Sequence, residues 1–509
     1  MVIRPFGDRA LLVELDGLDA VLAVHAALGD SRPDAVTEIV PGARTVLVRF
    51  DAPDSRTAVR SWIEHAAATV TEAPSPVGAA VTLDTVYDGA DLAETAELLG
   101  ATRDTLVAAH TAAAWRVAFT GFAPGFGYLV SPDWPYEVPR LDVPRTRVPS
   151  GSVGLAAGFT GAYPRETPGG WRLIGRTDAA LFDPEAAPPA LLVPGGAVRF
   201  RTVRATAAAA AAPTETAAAG AVAASAGIRI LAPGVFASVQ DLGRPGRAAL
   251  GIARSGALDR AALRRANRLV GNDESAAGVE AALGGFRAIA DCDTWFAVTG
   301  AHGPILLDGR PVDPDAAHPW PAGAELHLDW YTAGARAYLA VRGGLAVPAQ
   351  VGSRSTDTMS RVGPPPLRAG DALPLGEPEH PVPPNDIAPW GAPADEIEVL
   401  LAPGPRADRF AEDALPLLFE SRWVVSAQAD RVGVRLEGPE LKRRTAEELP
   451  SEGMVPGALQ VPPSGYPTIL LADGPVTGGY PVIAVIPDAA LDALGQARPG
   501  TGIRFRHAR

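Results

Sequence analysis

Residues 193–200 read VPGGAVRF, a glycine-containing turn followed by a short alternation of apolar and polar residues. The same pattern returns as LRAGDALPL at 367–375 and as RPGTGIRF at 498–505. A tight turn that leads into an alternating run is typical of a strand that ends a β domain. Three such closing strands predict three β domains of similar kind along the chain.

Length and composition agree with this organisation. A chain of 509 residues is too long for one hydrophobic core, and its 54 glycines and 50 prolines favour β barrels or sandwiches over a parallel sheet. Apolar residues at helical spacing occur at 91–115, where Thr102 can cap a helix, and at 255–272, where Ser255 can. The alanine-rich stretch 204–226 lacks the strongly apolar residues of a membrane span and predicts a linker.

The charge balance narrows the class of partner. A net charge of -13 and a pI near 5.2 argue against nucleic acid or an anionic membrane and favour a small-molecule ligand. The single cysteine, Cys292, excludes an internal disulfide and fits a reducing compartment. Because the first residues show no secretory signal pattern, we expect a cytoplasmic protein.

Lysine usage excludes two kinds of site. Lys442 is the only lysine, and it follows a leucine. A Walker A loop needs Gly-Lys-Ser/Thr, and a biotin carrier needs a lysine between methionines, so the sequence has neither. Any bound phosphate would be held by arginine and backbone N–H groups.

The stretch FTGFAPGFGYLV at 119–130 interrupts an aromatic strand with three glycines and a proline. Glycine within a strand marks a bulge or the close approach of another backbone or a ligand. Two explanations remain open. The bend around Gly125 lines a small-molecule pocket, or it lets two domains pack together.

A second repeat presents two tyrosines. Residues 148–164 and 461–481 both carry Ser-Gly after proline and then Thr-Gly-x-Tyr-Pro, which places Tyr163 and Tyr480 at constrained corners. A purely structural corner is the alternative to a binding role.

Arginines beside proline or glycine, and acids beside glycine, are the other candidates. Guanidinium groups on stiff backbone suit carboxylate or phosphate recognition, although salt bridges between loops are the alternative. The candidate arginines are Arg140, Arg145, Arg176, Arg244 and Arg354. The candidate acids are Asp241, Asp357, Glu452 and Asp473. Gln460 is a candidate binding residue, and His110 is a candidate base. For His110 the alternative is a satisfied helix histidine. The scattered histidines argue against a zinc site built from them, and the metal, if any, is left open.

Long motifs carry a family resemblance. GFAPGFGYL, PRLDVPRTRVPSGSVGLAAGFTGAYP and TPGGWRLIGRT resemble the KipI family, also called allophanate hydrolase subunit 1 or the 5-oxoprolinase B subunit. SVQDLGRPG, SGALDRAALRRANRLVGN, GGLAVPAQVGSRSTD, DRVGVRLEGPEL, SEGMVPGALQVPPSGYP and DGPVTGGYP resemble KipA, or the 5-oxoprolinase C subunit. The two resemblances cover nearly the whole chain in order, with the alanine-rich stretch as the joint.

The resemblance implies a mainly β fold with some α: a small N-terminal α/β domain followed by three cyclophilin-like β-barrel domains. The implied boundaries are 1–76 for the α/β domain, 77–203 for the first barrel, 204–226 for the linker, and 227–385 and 386–509 for the last two barrels.

The implied activity is that of the bacterial ATP-dependent 5-oxoprolinase, which opens 5-oxo-L-proline to L-glutamate with a separate A subunit of the LamB/YcsF type. ATP and Mg²⁺ are the implied cofactors, and a homo-oligomer is left open. The same paired module forms the carboxyltransferase region of urea carboxylase, and KipI and KipA also control a sporulation histidine kinase. The missing biotin lysine argues against a complete urea carboxylase, and a fused inhibitor and anti-inhibitor would be held together permanently.

A lactam can be activated by phosphorylation of its carbonyl oxygen, which requires anion-binding groups and acids. On this hypothesis Arg140, Arg145 and Arg176 bind anions, and the two tyrosines orient the amide. The four candidate acids serve in acid/base or metal work. The chain departs from the family pattern at His302, Arg406 and Pro364–Pro365.

Overall fold

The computed structural model describes residues 1–70, 77–204, 227–384, 391–445, 447 and 449–507. These residues form a small N-terminal domain and three β units, in the order that the sequence predicts. Almost all of the expected linker, and the expected boundary between 385 and 386, lie outside the described residues. Within them, no helix is long and apolar enough to cross a membrane.

The N-terminal domain is a four-stranded antiparallel sheet with the order β1-β2-β4-β3, covered by two helices. Its elements are β1 (Val2–Pro5), β2 (Ala10–Glu14), α1 (Leu18–Asp30), β3 (Val36–Pro41), β4 (Thr45–Phe50) and α2 (Arg56–Thr69). Apolar residues at helical spacing, such as Val21, Val24 and Leu28, turn one face of α1 onto the sheet. The expected small α/β domain is present.

The first barrel is closed by seven strands with the order β10-β7-β6-β13-β5-β12-β9. The elements are β5 (Val77–Val86), α3 (Leu92–Leu98), α4 (Arg103–Ala112), β6 (Trp115–Thr120), β7 (Gly127–Val130), β8 (Arg145–Val148), β9 (Ser152–Ala156), β10 (Phe159–Ala162), β11 (Thr167–Gly169), β12 (Arg172–Thr177) and β13 (Gly196–Thr202). The closing strand β13, predicted from VPGGAVRF, pairs in parallel with β5 and antiparallel with β6.

The middle unit consists of two sheets around one core, with the orders β20-β19-β22-β17-β14-β24 and β15-β16-β23-β18-β21. The elements are β14 (Gly227–Pro233), β15 (Phe236–Gln240), α5 (Arg260–Leu269), β16 (Gly278–Ala282), β17 (Phe286–Ala290), β18 (Thr294–His302), β19 (Ile305–Leu307), β20 (Arg310–Pro311), β21 (Ala317–Trp320), β22 (Glu325–Leu328), β23 (Ala333–Val341) and β24 (Ala372–Pro374).

The last barrel is again closed by seven strands, β25-β32-β29-β30-β27-β26-β33. The elements are β25 (Glu396–Pro403), α6 (Ala414–Glu420), β26 (Arg422–Val425), β27 (Gly433–Glu437), β28 (Glu452–Gly453), β29 (Ala458–Gln460), β30 (Thr468–Leu470), β31 (Thr477–Gly478), β32 (Val482–Val485), α7 (Leu491–Gly495) and β33 (Gly502–His507). Its closing strand β33 pairs in parallel with β25, as β13 does with β5.

The middle unit differs from the two closed barrels at its own closing strand. There β24 pairs antiparallel with β14 and remains at the edge of its sheet. This strand has only three residues and ends at Pro374, which has no N–H to extend the ladder. Two of the three expected barrels are therefore closed, and the middle one is an open pair of sheets.

Helix capping follows the prediction at one site and corrects it at the other. The Thr102 side chain accepts a hydrogen bond from Thr105 N at 3.1 Å, so Thr102 caps α4 as predicted. The helix predicted from Ser255 instead begins at Arg260, with Asp259 as its N-cap. Ser255 has a left-handed φ of 54° and is used elsewhere.

The interrupted strand 119–130 forms β6, a turn and β7, and its turn packs against the second half of the chain. A Cβ on Gly121 would lie 2.0 Å from the Oγ1 of Thr477, so only glycine fits there. The Thr120 hydroxyl donates to Ala249 O at 2.5 Å. These contacts support the domain-packing explanation of the bend.

The N-terminal sheet also packs against the second half. Phe6, Leu12 and Leu47 share one apolar cluster with Ala253 and Met454. The four units therefore meet at common junctions, and the candidate site lies at one of them.

Candidate functional site

The loop 353–363 is a meeting point of the β units, and Asp241 fixes its first residues. Asp241 Oδ1 accepts hydrogen bonds from the hydroxyls of Ser353 at 2.6 Å and Ser355 at 2.5 Å, and from Gly243 N at 2.8 Å. Asp241 Oδ2 accepts from Arg354 N at 2.7 Å. Because both carboxylate oxygens are used, Asp241 organises the loop and has little capacity left for a ligand.

A buried ion pair from the last barrel holds the next part of the loop. Arg431 donates to both oxygens of Asp473 at 3.0 Å and to Glu280 Oε1 at 2.5 Å. Asp473 also accepts from Ser255 Oγ at 2.8 Å and from the Thr358 hydroxyl at 2.7 Å. Burial alone would raise the pKa of Asp473, but Arg431 lowers it below the ordinary value. Asp473 is therefore a buried carboxylate that stays ionised.

Asp357 lies in the same loop and has a different environment. Its side chain is 1% exposed, Oδ1 accepts from Ser360 N at 2.7 Å, and Oδ2 has no hydrogen-bond partner among the described residues. Burial, and then the negative charge of Asp473, raise the pKa of Asp357 to about 6. Two neighbouring carboxyls whose pKa values are pushed apart are typical of an acid/base site.

Arg244 supplies a cation beside this carboxyl. It is 2% exposed, and Nη2 donates to Ser355 O at 2.5 Å, while Nε and Nη1 have no partner within the described ranges. Burial lowers the pKa of Arg244, and the charges of Asp357 and Asp241 oppose that shift. A buried guanidinium with two unused N–H groups is suited to an oxyanion.

The first barrel reaches the same loop through Arg165. Its Nη2 donates to Met359 O, and its Nε is buried without a partner in the described part of the chain. Burial, and then repulsion from Arg361, lower the pKa of Arg165, whereas Asp357 raises it. We call the group formed by Arg165, Asp241, Arg244, Asp357, Arg431 and Asp473 the Asp357 cluster.

An aromatic cluster lies in the first barrel, and its tyrosine at 163 is two residues before Arg165 along the chain. We call it the aromatic wall, and its members are Phe122, Phe126, Tyr128, Tyr163 and Trp171. The Phe126 ring centroid lies 5.1 Å from that of Tyr163 and 5.3 Å from that of Trp171. Phe122 is 36% exposed and has a left-handed φ of 65°. Phe126, Tyr163 and Trp171 are buried, so the wall is packed inside the barrel that also provides Arg165 and exposes the ring of Phe122.

Two predicted residues belong to this wall or border it. Burial, and then the neighbouring Tyr128, raise the pKa of Tyr163 to about 12, and Arg140 opposes the shift. Arg140 is exposed, and no hydrogen bond joins it to the described residues. Arg140 is therefore a cation available to a ligand at the edge of an apolar surface.

Other predicted arginines are engaged in salt bridges or backbone contacts. Arg145 donates to Asp91 Oδ1 at 2.6 Å, and Arg176 donates to Asp88 Oδ2 at 3.1 Å on the surface. Arg354 Nε donates to Val347 O at 2.8 Å. The alternative stated for such arginines, a salt bridge between loops, describes Arg145 and Arg176.

The structure places Glu452 and His110 outside the cluster. Arg406 donates to both oxygens of Glu452 and to Glu14 of the N-terminal sheet, so Arg406 joins two domains and Glu452 is its partner within the last barrel. His110 is fully buried, and its ring nitrogens lie 2.7 Å from Tyr87 Oη and 2.8 Å from Thr160 Oγ1. Burial lowers the pKa of His110 to about 3. This is the geometry of a satisfied core histidine.

Three predicted residues remain without a chemical environment that points to a ligand. Gln460 in β29 and Tyr480 after β31 are partly buried. Gly125 has a φ of 79°, and a Cβ there would lie 2.7 Å from Leu181 O. That glycine is required by backbone packing.

The sequence reasoning assigned no role to Arg431 or Arg165, although both lie in motifs that carry the resemblance or adjoin them. Arg431 opens the stretch RVGVRLEGPEL, and Arg165 follows directly after GAYP. Each is an arginine next to a constrained backbone segment, which is the same signal that marks the other candidate arginines.

The fit of ATP and Mg²⁺ depends on the free polar atoms of this cluster. No group of three or more His, Cys, Asp or Glu in the described ranges could hold a metal ion by itself. Asp357 Oδ2 is one free carboxylate oxygen, so Mg²⁺ would need phosphate and water oxygens for most of its ligands, as is common for this ion. The free N–H groups of Arg244 suit a phosphoryl group.

Both halves of the chain are similar to known proteins. Residues 1–192 match the family model of the carboxyltransferase domain, subdomains C and D, and residues 250–507 match that of subdomains A and B. The 5-oxoprolinase C subunit of Escherichia coli (strain K12) is 40% identical over 285 residues, which cover 55% of this chain and 90% of that protein. The 5-oxoprolinase B subunit of Escherichia coli O157:H7 is 39% identical over 173 residues, which cover 32% of this chain and 77% of that protein.

Two further proteins extend the comparison. The urea amidolyase of Saccharomyces cerevisiae is 34% identical over 303 residues, which cover 55% of this chain but 16% of that protein. The crystal structure of TTHA0988 has a TM-score of 0.86 and 35% identity, covering 98% of this chain and 99% of that one. The chain therefore belongs to the carboxyltransferase-domain family that includes the 5-oxoprolinase B and C components, with a half similar to each of them in one polypeptide.

Proposed function

We propose that this chain is the B/C component of a cytoplasmic ATP-dependent 5-oxoprolinase, which opens the lactam of 5-oxo-L-proline to L-glutamate together with a separate A subunit. The observation that carries the proposal is the Asp357 cluster. There, both halves contribute buried polar atoms that lack partners within the described chain. Unpartnered buried polar groups are costly, and a bound ligand would satisfy them.

In the cluster, the arginines and the carboxylates have different roles. Bound ATP would supply the phosphoryl group that, once on the lactam carbonyl oxygen, makes the lactam carbon more open to attack by water. The Nε and Nη1 groups of Arg244 hold an oxyanion at the reacting centre. Arg431 keeps Asp473 ionised, and this fixed negative charge helps hold the pKa of Asp357 near 6.

Asp357 moves the proton in this proposal. At neutral pH its carboxyl is mostly ionised, so Oδ2 accepts a proton from the water that attacks the lactam carbon. When the ring C–N bond breaks, the same carboxyl returns the proton to the ring nitrogen, and a second water then hydrolyses the resulting acyl phosphate to the side-chain carboxylate and inorganic phosphate. A pKa close to the working pH allows both steps.

The first barrel positions the substrate. The exposed ring of Phe122, supported by the buried rings of the aromatic wall, covers the apolar methylene edge of the substrate ring. Arg140 pairs with the substrate carboxylate, because it is a cation without a hydrogen-bond partner among the described residues at the edge of that wall.

The test is ADP release on addition of 5-oxo-L-proline to this chain, with and without its A subunit. We expect stimulation only when both chains are present. Asp357→Asn and Arg244→Met should each lower turnover by about 100-fold or more, the usual range for losing a general base or an oxyanion donor. The matched controls are Asp84→Asn and Arg201→Met, which remove an exposed ion pair of the first barrel and should leave turnover unchanged.

A second candidate is a carboxyltransferase component of a biotin-dependent urea or amide carboxylase, which the match to urea amidolyase favours. Urea with a separately supplied carboxylated biotin carrier tests it in the same assay. If a folded, complex-forming pair shows no stimulation by 5-oxo-L-proline but transfers carboxylate to urea, the 5-oxoprolinase proposal is wrong.

A further inference from the structure

A polar cavity of about 480 Å³ lies where the N-terminal domain meets the middle unit and the last barrel. No member of the Asp357 cluster or of the aromatic wall lines it. Five arginines from two parts of the chain line this cavity: Arg9, Arg49, Arg254, Arg260 and Arg264. The last barrel contributes two carboxylates to the lining, Asp488 and Asp492.

The carboxylates of the cavity are shared or already used. Asp488 lies 3.2 Å from Arg260, 3.5 Å from Arg9 and 3.6 Å from Arg49, so one carboxylate serves three guanidinium groups. Arg260 also forms an ion pair with Asp492, at 3.3 Å. The cavity's other carboxylates, Glu38 and Asp51, accept hydrogen bonds from a backbone N–H and a serine hydroxyl.

Arg254 is an arginine of the cavity for which no ion pair is formed with the described residues. It is partly buried, and its guanidinium makes no hydrogen bond or ion pair to the described residues. Burial, and then the positive charges of Arg260 and Arg49, lower its pKa to about 10, while the charges of Asp488 and Glu38 oppose that shift. Arg9 Nε is also buried without a partner in the described chain. A guanidinium placed among other cations is unfavourable unless an anion joins them.

We infer that this Arg254 cavity is a binding site for a phosphate-bearing anion. Converging guanidinium groups present several N–H donors to one tetrahedral oxyanion, which a single carboxylate cannot match. The volume exceeds what an inorganic phosphate fills, so the group that carries the phosphate has room beside it. Such a ligand would contact residues of three units and stabilise their arrangement.

The inference does not rest on the proposed enzymatic function, because binding requires this chain alone. Inorganic phosphate, pyrophosphate and ADP are titrated into the full chain by calorimetry at about 0.15 M salt, where long-range charge effects are screened. We expect saturable binding of at least one of these probes. Tighter binding of ADP than of phosphate would identify a nucleotide as the source, and equal binding would identify the phosphate group alone.

Arg254→Met separates a ligand-binding role from a structural one. We expect affinity to fall at least about tenfold, while the melting temperature of the free chain stays the same or rises because a buried cation that lies among other cations has been removed. The control Arg287→Met removes a surface pair with Glu325 and should leave binding unchanged. The inference fails if no probe binds at millimolar concentration, if chloride competes as well as phosphate, or if Arg254→Met destabilises the chain without weakening binding.

Discussion

Replacing Asp357 by asparagine tests the electrostatic account of the site through protein stability. The folded chain raises the pKa of this carboxyl from its ordinary 3.8 to about 6. The folded state therefore binds the proton more tightly than the unfolded chain does, and stability falls as pH rises through this window. The total cost is about 3 kcal/mol above pH 7, roughly half of it appearing between pH 5 and 8.

Asparagine has nearly the same shape and no such titration. The stability of Asp357→Asn relative to the unsubstituted chain should therefore increase by about 1–2 kcal/mol from pH 5 to pH 8. The assay is urea-induced unfolding of both proteins at steps across this range. Asp84→Asn is the control, because the hydrogen bond from Arg201 lowers the pKa of that exposed carboxyl and places its titration below pH 5. A constant offset between Asp357→Asn and the unsubstituted chain across the range would refute the reasoning.

Three further predictions concern packing and the buried network. Arg431→Met leaves the buried Asp473 without its ion-pair partner and Glu280 with Arg336 alone, and should cost about 3–5 kcal/mol in urea unfolding; a loss below about 1 kcal/mol would contradict the ion-pair account. Gly121→Ala should destabilise the chain by about 1–3 kcal/mol, and Thr477→Ala should recover part of that loss in a double-mutant cycle; strict additivity would show that the two do not meet. His110→Phe should lower stability because two hydroxyls lose their partner, while ADP release per folded molecule is kept. Because burial lowers the pKa of His110 from 6.5 to about 3, the stability that the neutral His110 ring contributes is lost as pH falls below about 6.5. A loss of activity in His110→Phe with unchanged stability would overturn this structural role.

The β architecture was accessible from local sequence because closing strands carry a local signal. VPGGAVRF and RPGTGIRF each combine a turn with an alternating run, and both become strands that close a barrel by parallel pairing with its first strand. LRAGDALPL has the same turn, but its strand ends after three residues. Whether a short strand closes a barrel depends on its partners at the far side of the sheet, which a local pattern does not contain.

The site was only partly accessible, because the sequence shows which residues are acids but not how many hydrogen bonds each accepts. Asp241, Asp357 and Asp473 look alike in sequence, each in a loop with small or hydroxyl residues nearby. Asp241 and Asp473 accept most of their hydrogen bonds from residues distant in the chain, such as Ser353 and Ser255, whereas Asp357 keeps one oxygen free of partners among the described residues. The ranking of acids by chemical role therefore required long-range contacts.

The Asp357 cluster uses residues from both halves of the chain, so joining the halves in one polypeptide affects how the cluster forms. Arg165 reaches the Asp357 loop from the first barrel, and Thr120 bonds to the chain beyond the joint. Two separate chains would have to form these contacts by bimolecular association, whereas a linked pair meets at an effective concentration on the order of millimolar. Contacts that are individually weak can then hold the site together, which removes the need for a large apolar interface. The fused chain can thus use polar atoms, including unpartnered ones, at the junction where a ligand is to bind.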